Sequence, residues 1–81
     1  MRLDGNAAGG MLTEVFATDV TGAMVTCDHC GARGAVAGAQ AYMGGPGLVL
    51  RCSHCESVLL RLVRIRERLL LDTSGVRTLD M

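Results

Sequence analysis

The sequence predicts a small, mainly β domain of antiparallel hairpins and two tight cysteine turns, with a short N-terminal helix. Three observations favour this fold class: an apolar stripe at helical spacing near the N-terminus, short apolar segments separated by turn residues after residue 22, and two Cys-x-x-Cys pairs. A chain of 81 residues is expected to form a single domain. Within 1–81 we expect a helical lead over 1–20, a cysteine-containing β segment over 22–66 and a C-terminal hairpin over 67–81.

The composition provides little material for a hydrophobic core. The chain is 49% hydrophobic, but it has one Phe, one Tyr, no Trp and 11 glycines. In a domain of this size, burial alone is worth only about 3–5 kcal/mol, so a cross-link of some kind is expected. The four cysteines are the candidates for it.

Charge and hydropathy limit the classes of partner. Eight arginines balance eight acidic residues, but residues 1–30 carry one arginine against four acidic residues, and residues 51–68 carry five arginines against two glutamates. A local basic strip is therefore the most that the charge predicts. The N-terminus lacks an apolar segment of signal-peptide length, and no apolar run approaches a membrane span, so we expect a cytoplasmic location and no membrane partner. In the cytoplasm, clustered cysteines bind metal more often than they form disulfides.

The N-terminal helix is predicted over residues 7–18. Its apolar residues recur at i, i+3 and i+4 spacing: Ala8, Met11, Leu12, Val15 and Phe16. Asp4 or Asn6 is expected to cap this helix. Gly9 and Gly10 cost about 1 kcal/mol each inside a helix, so the firm part is expected to begin at Met11. We expect the stripe to cover one face of a small sheet, and docking onto a partner is the alternative.

Short strands and turns are predicted from residue 22 onward. "AMVTC" leads into the first cysteine pair, and "AQAYM", the turn "GGPG" at 44–47 and "LVLRC" predict a hairpin that delivers the second pair. "SVLLRLVRIR" predicts a longer central strand covered at least partly on both sides, because apolar residues occupy both faces. One face holds Val58, Leu60 and Leu62, and the other holds Leu59, Val63 and Ile65, with Arg61 between. "LLLD", "TSG" and "VRTL" predict a closing hairpin.

The two cysteine pairs have the spacing of a four-cysteine zinc site. The candidate ligands are Cys27, Cys30, Cys52 and Cys55, with 21 residues between the pairs. Two residues between cysteines allow a tight turn to direct both sulfurs at one ion. Gly31 suits the positive φ that such a turn needs, whereas Glu56 in the second turn is expected either to be mildly strained or to have a different backbone. The sequence thus predicts one structural Zn2+ with no open coordination position, and hence no enzyme activity at the metal.

At these residues the chain resembles a zinc ribbon, over roughly residues 22–66. Ribbon turns commonly read Cys-Pro-x-Cys-Gly, whereas the turns here read "CDHCG" and "CSHCE", so both lack the Pro and only the first keeps the Gly. With its lead "RLDGNAAGGMLTEVF", the chain is also similar to a family of short bacterial hypothetical proteins of unknown function with a ribbon domain. The resemblance implies a structural metal, and a function that belongs to the surface that the ribbon displays.

Other chemistry at the cysteines is left open. His29 and His54 are expected to point outward, since a Rieske-type cluster of two Cys and two His separates its second Cys and His by two residues and this chain separates them by one. A rubredoxin-like iron site remains the redox alternative because the same ligands accept iron, although few aromatic residues are present to shield it. A thioredoxin-like dithiol would need a following helix, which the nearby glycines disfavour. Structural disulfides are a further alternative.

The remaining sequence predicts an interaction or accessory module with an unknown protein partner. No carboxylate pair, catalytic triad or phosphate-binding glycine loop is present. Nucleic-acid binding is the alternative, supported by a strip of Arg61, Arg64, Arg66 and Arg68. Neutral total charge and the scarcity of stacking aromatics count against it. Because four thiolates around zinc leave net negative charge, at least one of Arg33 and Arg51 is expected to approach the site.

Overall fold

Antiparallel strands and one short helix make up the described part of the chain. The structure is a computed structural model that describes residues 2–5, 9–16, 20–44 and 47–81. Helix α1 is Gly9–Phe16, and Val36–Gly38 form one turn of 3-10 helix. The strands are β1 (Arg2–Asp4), β2 (Met24–Cys27), β3 (Arg33–Ala35), β4 (Gln40–Gly44), β5 (Gly47–Arg51), β6 (Val58–Ile65), β7 (Arg68–Asp72) and β8 (Val76–Asp80). The predicted mainly β fold with a short helix is confirmed.

The strands form two antiparallel sheets. The larger has the order β1-β4-β5-β6-β7, and the smaller has the order β3-β2-β8. The predicted hairpin is present, since β4 pairs with β5 in a register that places Ala41 opposite Leu50. Gly45 and Pro46 of its turn lie outside the described residues. β6 lies between β5 and β7, as a central strand should.

The core draws on both sheets and on the helix. Its buried residues include Val25 of β2, Leu48 and Leu50 of β5, Leu62 of β6 and Leu12 of α1. Leu12 is fully buried, and Met11 and Phe16 pack against the same cluster. The prediction that the helical stripe covers a sheet is therefore confirmed for these residues; the side chains of Ala8 and Val15 lie outside the description.

The start of the helix differs from the prediction. α1 begins at Gly9, not at Met11. Thr13 donates its hydroxyl to the Gly9 carbonyl at 2.7 Å, and a Cβ at Gly9 would come 3.2 Å from Thr21, so the first turn lies where a small residue fits. Asp4 lies in β1 opposite Gln40, so its predicted role as the helix cap is wrong. Asn6 lies outside the described residues, and β1 itself was not predicted.

No helix in the described ranges is both long enough and apolar enough to cross a membrane.

One side of β6 is buried. The alternation of buried and exposed residues along this strand is broken near its first residues. Arg51 pairs with Val58 and Leu50 with Leu60, which leaves Leu59 as an extra residue in a β-bulge. Leu59 and Leu60 both line the same apolar cavity between the sheets, so the bulge buries two consecutive leucines. Cover on at least part of each side was predicted; on the second side Val63 is half-buried, whereas Arg61 and Ile65 are exposed.

The predicted C-terminal hairpin is wrong. β7 pairs with β6 in the larger sheet, whereas β8 pairs with β2 in the smaller one. The hairpin turn lies one step earlier, at Arg66 and Glu67, where Arg66 has a φ of +57°. "TSG" is a turn that redirects the chain from one sheet to the other: Ser74 N–H donates to the Asp72 carboxylate at 2.9 Å and Val76 N–H to the Thr73 carbonyl at 3.0 Å.

Gly75 is the residue of this turn that tolerates no side chain. A Cβ at Gly75 would lie 1.8 Å from the Val58 carbonyl oxygen, which is backbone and cannot move alone. We predict that Gly75→Ala lowers the free energy of unfolding by about 1–3 kcal/mol, measured by urea denaturation. Gly34→Ala in β3 is the control, because nothing lies within 4 Å of its Cβ position. Equal stability of the two variants would contradict the close approach.

Candidate metal centre

Each cysteine pair lies in the connection between two antiparallel strands. Cys27 is the last residue of β2, and Cys30 lies in the turn before β3. Cys52 follows directly after β5, and Cys55 lies in the turn before β6. Each turn is thus the tip of a hairpin, and one hairpin belongs to each sheet.

The two turns are closed by the same backbone hydrogen bonds. In the first, Gly31 N–H donates to the Cys27 carbonyl and Cys27 N–H to the Ala32 carbonyl, each at 2.9 Å. In the second, Glu56 N–H donates to the Cys52 carbonyl and Cys52 N–H to the Ser57 carbonyl, again at 2.9 Å. Sequence differences between "CDHCG" and "CSHCE" therefore leave the backbone path unchanged.

Positive φ follows the second cysteine of each turn. Gly31 has a φ of +78° and Glu56 a φ of +64°. For a residue with a Cβ, the left-handed region costs roughly 1–2 kcal/mol. Of the two expectations for Glu56, strain in a shared conformation is the one that the structure shows.

The four sulfurs converge on one point. Cys27 Sγ lies 3.7 Å from Cys55 Sγ, and Cys30 Sγ lies 3.7 Å from Cys52 Sγ, so each short distance joins one turn to the other. All four sulfurs lie within 4.8 Å of one another. Four sulfurs placed about 2.3 Å from a central ion, the usual zinc–sulfur distance, form a tetrahedron with edges of about 3.8 Å. The cluster has the size and donor set that a tetrahedral thiolate site requires.

The same distances exclude disulfides in this conformation. A disulfide bond brings two sulfurs to about 2.05 Å, whereas all four cysteines are free. The alternative of structural disulfides is therefore not what the structure shows.

The cluster is buried on one side and open on the other. Cys27 and Cys52 are buried among core residues, Cys55 is half-buried and Cys30 is exposed. Backbone N–H groups donate to sulfur in both turns: that of Ala32 to Cys30 and that of His54 to Cys52, both at 3.4 Å. Such donors spread the negative charge of a thiolate.

The pKa values of two of the clustered thiols, Cys30 and Cys55, shift in opposite directions. Hydrogen bonds from the Ser57 hydroxyl and backbone lower the pKa of Cys55 to about 6. At Cys30 the Ala32 N–H favours the thiolate, but lost solvation and the neighbouring sulfurs outweigh it and raise the pKa to about 11. Like charges this close cannot all form together near neutral pH, so binding of a cation would be accompanied by release of protons.

The C-terminal segment ties the first turn to the strand that follows the second. Gly75 accepts a hydrogen bond from Asp28 N–H at 2.9 Å and donates its own N–H to the Leu59 carbonyl at 3.1 Å. Arg77 contacts Asp28 twice, at the carboxylate and at the carbonyl, both at 3.3 Å. Neither Gly75 nor Arg77 is predicted to belong to the site from the sequence. The "TSG" motif predicts a turn that contains Gly75, but no local sequence pattern shows that this turn contacts residues far away in the chain.

The two candidate arginines have different roles. Arg51 donates to the Glu56 carbonyl at 3.0 Å, and its guanidinium lies 5.5 Å from the centre of the Tyr42 ring. Arg33 forms an ion pair with Asp80 at 2.7 Å, at the exposed end of the smaller sheet. Arg51 thus contacts the backbone of the second cysteine turn. Of the two arginines that were expected to approach the site, Arg51 is the one that does so.

Other residues named from the sequence lie at the surface. His29 and His54 are exposed, and the cluster of candidate metal ligands in the described residues consists of the four cysteines alone. Of the arginine strip, Arg61 pairs with Asp72 at 3.3 Å, and Arg66 lies in the β6–β7 turn and not on a strand.

A comparison with protein-family models matches the whole chain, residues 1–81, to DUF6510, a family of unknown function. The chain belongs to this family. No curated protein and no solved structure matches the DUF6510 chain. The expected membership in a family of unknown function is thus confirmed, and the geometry of the cysteine cluster is what indicates a function for this DUF6510 protein.

The strain at Glu56 yields a prediction. Glu56→Gly should raise the free energy of unfolding by about 1 kcal/mol, because glycine adopts positive φ without steric cost and the carbonyl that Arg51 contacts is kept. The measurement is chemical denaturation of the metal-loaded protein. Glu56→Ala, which removes the carboxylate but keeps the Cβ, is the control and should show no gain; equal stabilisation by both variants would assign the effect to charge.

The contact of Arg51 with the second turn yields another. We predict that Arg51→Ala weakens metal binding by about tenfold, the lower end of the usual effect of residues behind the ligands. Arg33→Ala is the matched control and should leave the affinity unchanged, because Arg33 pairs with Asp80. Competition with a chromophoric chelator measures both affinities. Unaltered binding by Arg51→Ala would show that the Glu56 contact does not position the site.

Proposed function

We propose that this protein is a small structural zinc module of the ribbon type, with one Zn2+ held by Cys27, Cys30, Cys52 and Cys55. The observation that carries the proposal is the pair of 3.7 Å sulfur–sulfur distances between the two turns, which matches the edges of a zinc–thiolate tetrahedron. Two hairpin tips with the same backbone, facing each other across the site, support the ribbon type. With four protein ligands, no position is left for substrate, so the metal acts as a brace and the protein is not a metalloenzyme.

Iron is the alternative occupant. Four thiolates accept iron as well as zinc, and the half-open position of the cluster would give electrons a short route to Cys30. The scarcity of aromatic residues favours zinc, since Phe16 and Tyr42 are the chain's two aromatic residues. Colour separates the two metals, because a ferric thiolate site absorbs visible light and a zinc site does not.

The role that we propose for the braced module is to bind a protein partner in the cytoplasm, where the thiols stay reduced. Support comes from apolar side chains that the fold leaves in solvent on β6 and β7: Ile65, Leu69 and Leu70. Exposed apolar residues that lie together indicate an interaction surface. Nucleic-acid binding is less well supported, because Arg61 is paired with Asp72 and the arginine strip is interrupted.

Metal removal tests the zinc proposal. We expect the purified protein to be colourless, to contain one zinc per chain by elemental analysis and to lose its cooperative thermal transition on chelation. Structural zinc supplies about 10–16 kcal/mol in small zinc domains, more than this core can replace. A reddish protein would point to iron, and a melting curve unchanged by chelation would contradict a structural metal.

Matched variants locate the ligands. Cys52→Ser should lose the metal to a competing chelator, whereas Ser53→Ala and His54→Ala, in the same turn, should keep it. His29→Ala provides the corresponding control in the first turn. Retention of stoichiometric zinc by Cys52→Ser, or loss of zinc by either histidine variant, would overturn the four-cysteine assignment.

A further inference from the structure

β7 is an edge strand with an apolar centre: among the described residues, no strand pairs with its outer side. It is the last strand of the larger sheet, and its residues read "RLLLD" without proline, lysine or a bulge. Leu70 is 59% exposed, and Ile65 on the neighbouring strand is 53% exposed. Edge strands are normally protected by charge, proline or a bulge because they can pair with another chain. β8, an edge of the smaller sheet, carries polar residues along its length, namely Arg77, Thr78 and Asp80, whereas the charged residues of β7 stand only at its two ends.

The ladder between β6 and β7 determines which backbone groups face outward. Arg68 pairs with Ile65 across a two-residue turn, and the residues that flank such a turn exchange both of their hydrogen bonds. Since hydrogen-bonded and non-hydrogen-bonded pairs alternate, Leu70 and Asp72 also direct their N–H and C=O groups at β6. Leu69 and Leu71 therefore direct theirs to the open side.

We propose that this protein forms a two-fold symmetric dimer in which β7 pairs with β7 of a second copy, antiparallel and centred on Leu70. Leu69 of each copy then faces Leu71 of the other, and these are the residues whose backbone groups point outward. Leu70 faces its own counterpart on the axis, as a non-hydrogen-bonded pair, whose side chains come closest together. The two larger sheets become one continuous sheet.

Charge selects this register over its neighbours. With Leu70 on the axis, Arg68 of each copy faces Asp72 of the other, on the same face of the sheet as Leu70. A shift of the axis to Leu69 or Leu71 would place a leucine opposite one of these charges. The Asp72 carboxylate accepts hydrogen bonds from Arg61 and from Ser74 N–H, and its side chain is 42% exposed, so it can accept another.

The apolar face adds to the same interface. Leu70 lies opposite Val63 in the β6–β7 ladder. Pairing of two copies would therefore place Val63, Leu70 and their counterparts in one row across the β7–β7 interface. Cross-strand apolar pairs contribute about 0.2–1 kcal/mol each. The pairing deepens the interaction role proposed above by naming a second copy as the partner, and it uses no residue of the cysteine cluster.

Oligomeric state tests the pairing. We expect the zinc-loaded protein to be a dimer by sedimentation equilibrium, and Leu70→Glu to weaken the dimer by more than about tenfold, because two carboxylates would meet on the axis. Met81→Glu is the matched control. Met81 is also exposed, but it follows β8 of the smaller sheet and not β7, so its variant should dimerise like the wild type. Metal content and circular dichroism verify that each variant is folded.

Charge exchange tests the register. Arg68→Asp alone and Asp72→Arg alone should each weaken the dimer, since each places like charges opposite one another. When the two variants are mixed, they should form a heterodimer, detected by native mass spectrometry. In that heterodimer, each of the two pairs between position 68 of one copy and position 72 of the other holds one acid and one arginine. A zinc-loaded wild type that is monomeric up to submillimolar concentration, or a dimer that Leu70→Glu leaves unchanged, would overturn the pairing while the zinc proposal stands. Two folded charge variants that fail to combine would overturn this register.

Discussion

The convergence of two cysteine turns is the constraint on which the rest of the structure depends. One turn ends the β2–β3 hairpin of the smaller sheet, and the other ends the β5–β6 hairpin of the larger. Short sulfur–sulfur distances join one turn to the other, and thiols this close repel as they ionise. In the proposed zinc-bound protein this repulsion becomes attraction to a shared cation. The magnitudes favour the metal as the main link, since a hydrogen bond contributes about 0.5–1.5 kcal/mol and structural zinc about 10–16 kcal/mol.

A second, weaker link lies beside the first. Gly75 connects Asp28, in the first cysteine turn, to Leu59, in the bulge that follows the second. The chain reaches this position because the turn after Asp72 leads it away from β7 and across to β2. The result is that three segments distant in sequence meet at Gly75. The bulge at Leu59 belongs to the same arrangement, because it allows two consecutive leucines to pack into the space between the sheets.

The apolar residues of the larger sheet are divided between stability and association. Leu48, Leu50 and Leu62 are buried in the core, where they serve folding. Ile65 and Leu70 remain in solvent, although a chain with so few large side chains would gain from burying them. They lie beside the edge strand β7, which has three leucines at its centre, an arginine at one end and an aspartate at the other. A strand whose two ends carry opposite charge is self-complementary in the antiparallel direction.

The sequence alone determined the parts of this protein that depend on local spacing. Two Cys-x-x-Cys pairs, the "GGPG" hairpin and the helical stripe through Leu12 were sufficient to predict the four-cysteine cluster, the β4–β5 pairing and the mainly β fold. Positive φ at Gly31 could be predicted from the sequence, because glycine is the residue that adopts positive φ freely. Tertiary structure decided what spacing cannot encode. "LLLD" and "VRTL" look like hairpin partners, but each finds a better neighbour in a different sheet, and Gly75 and Arg77 reach the first cysteine turn only through that crossover. Strand pairing depends on which apolar surfaces remain uncovered once the rest of the chain has folded, and no local segment contains that information.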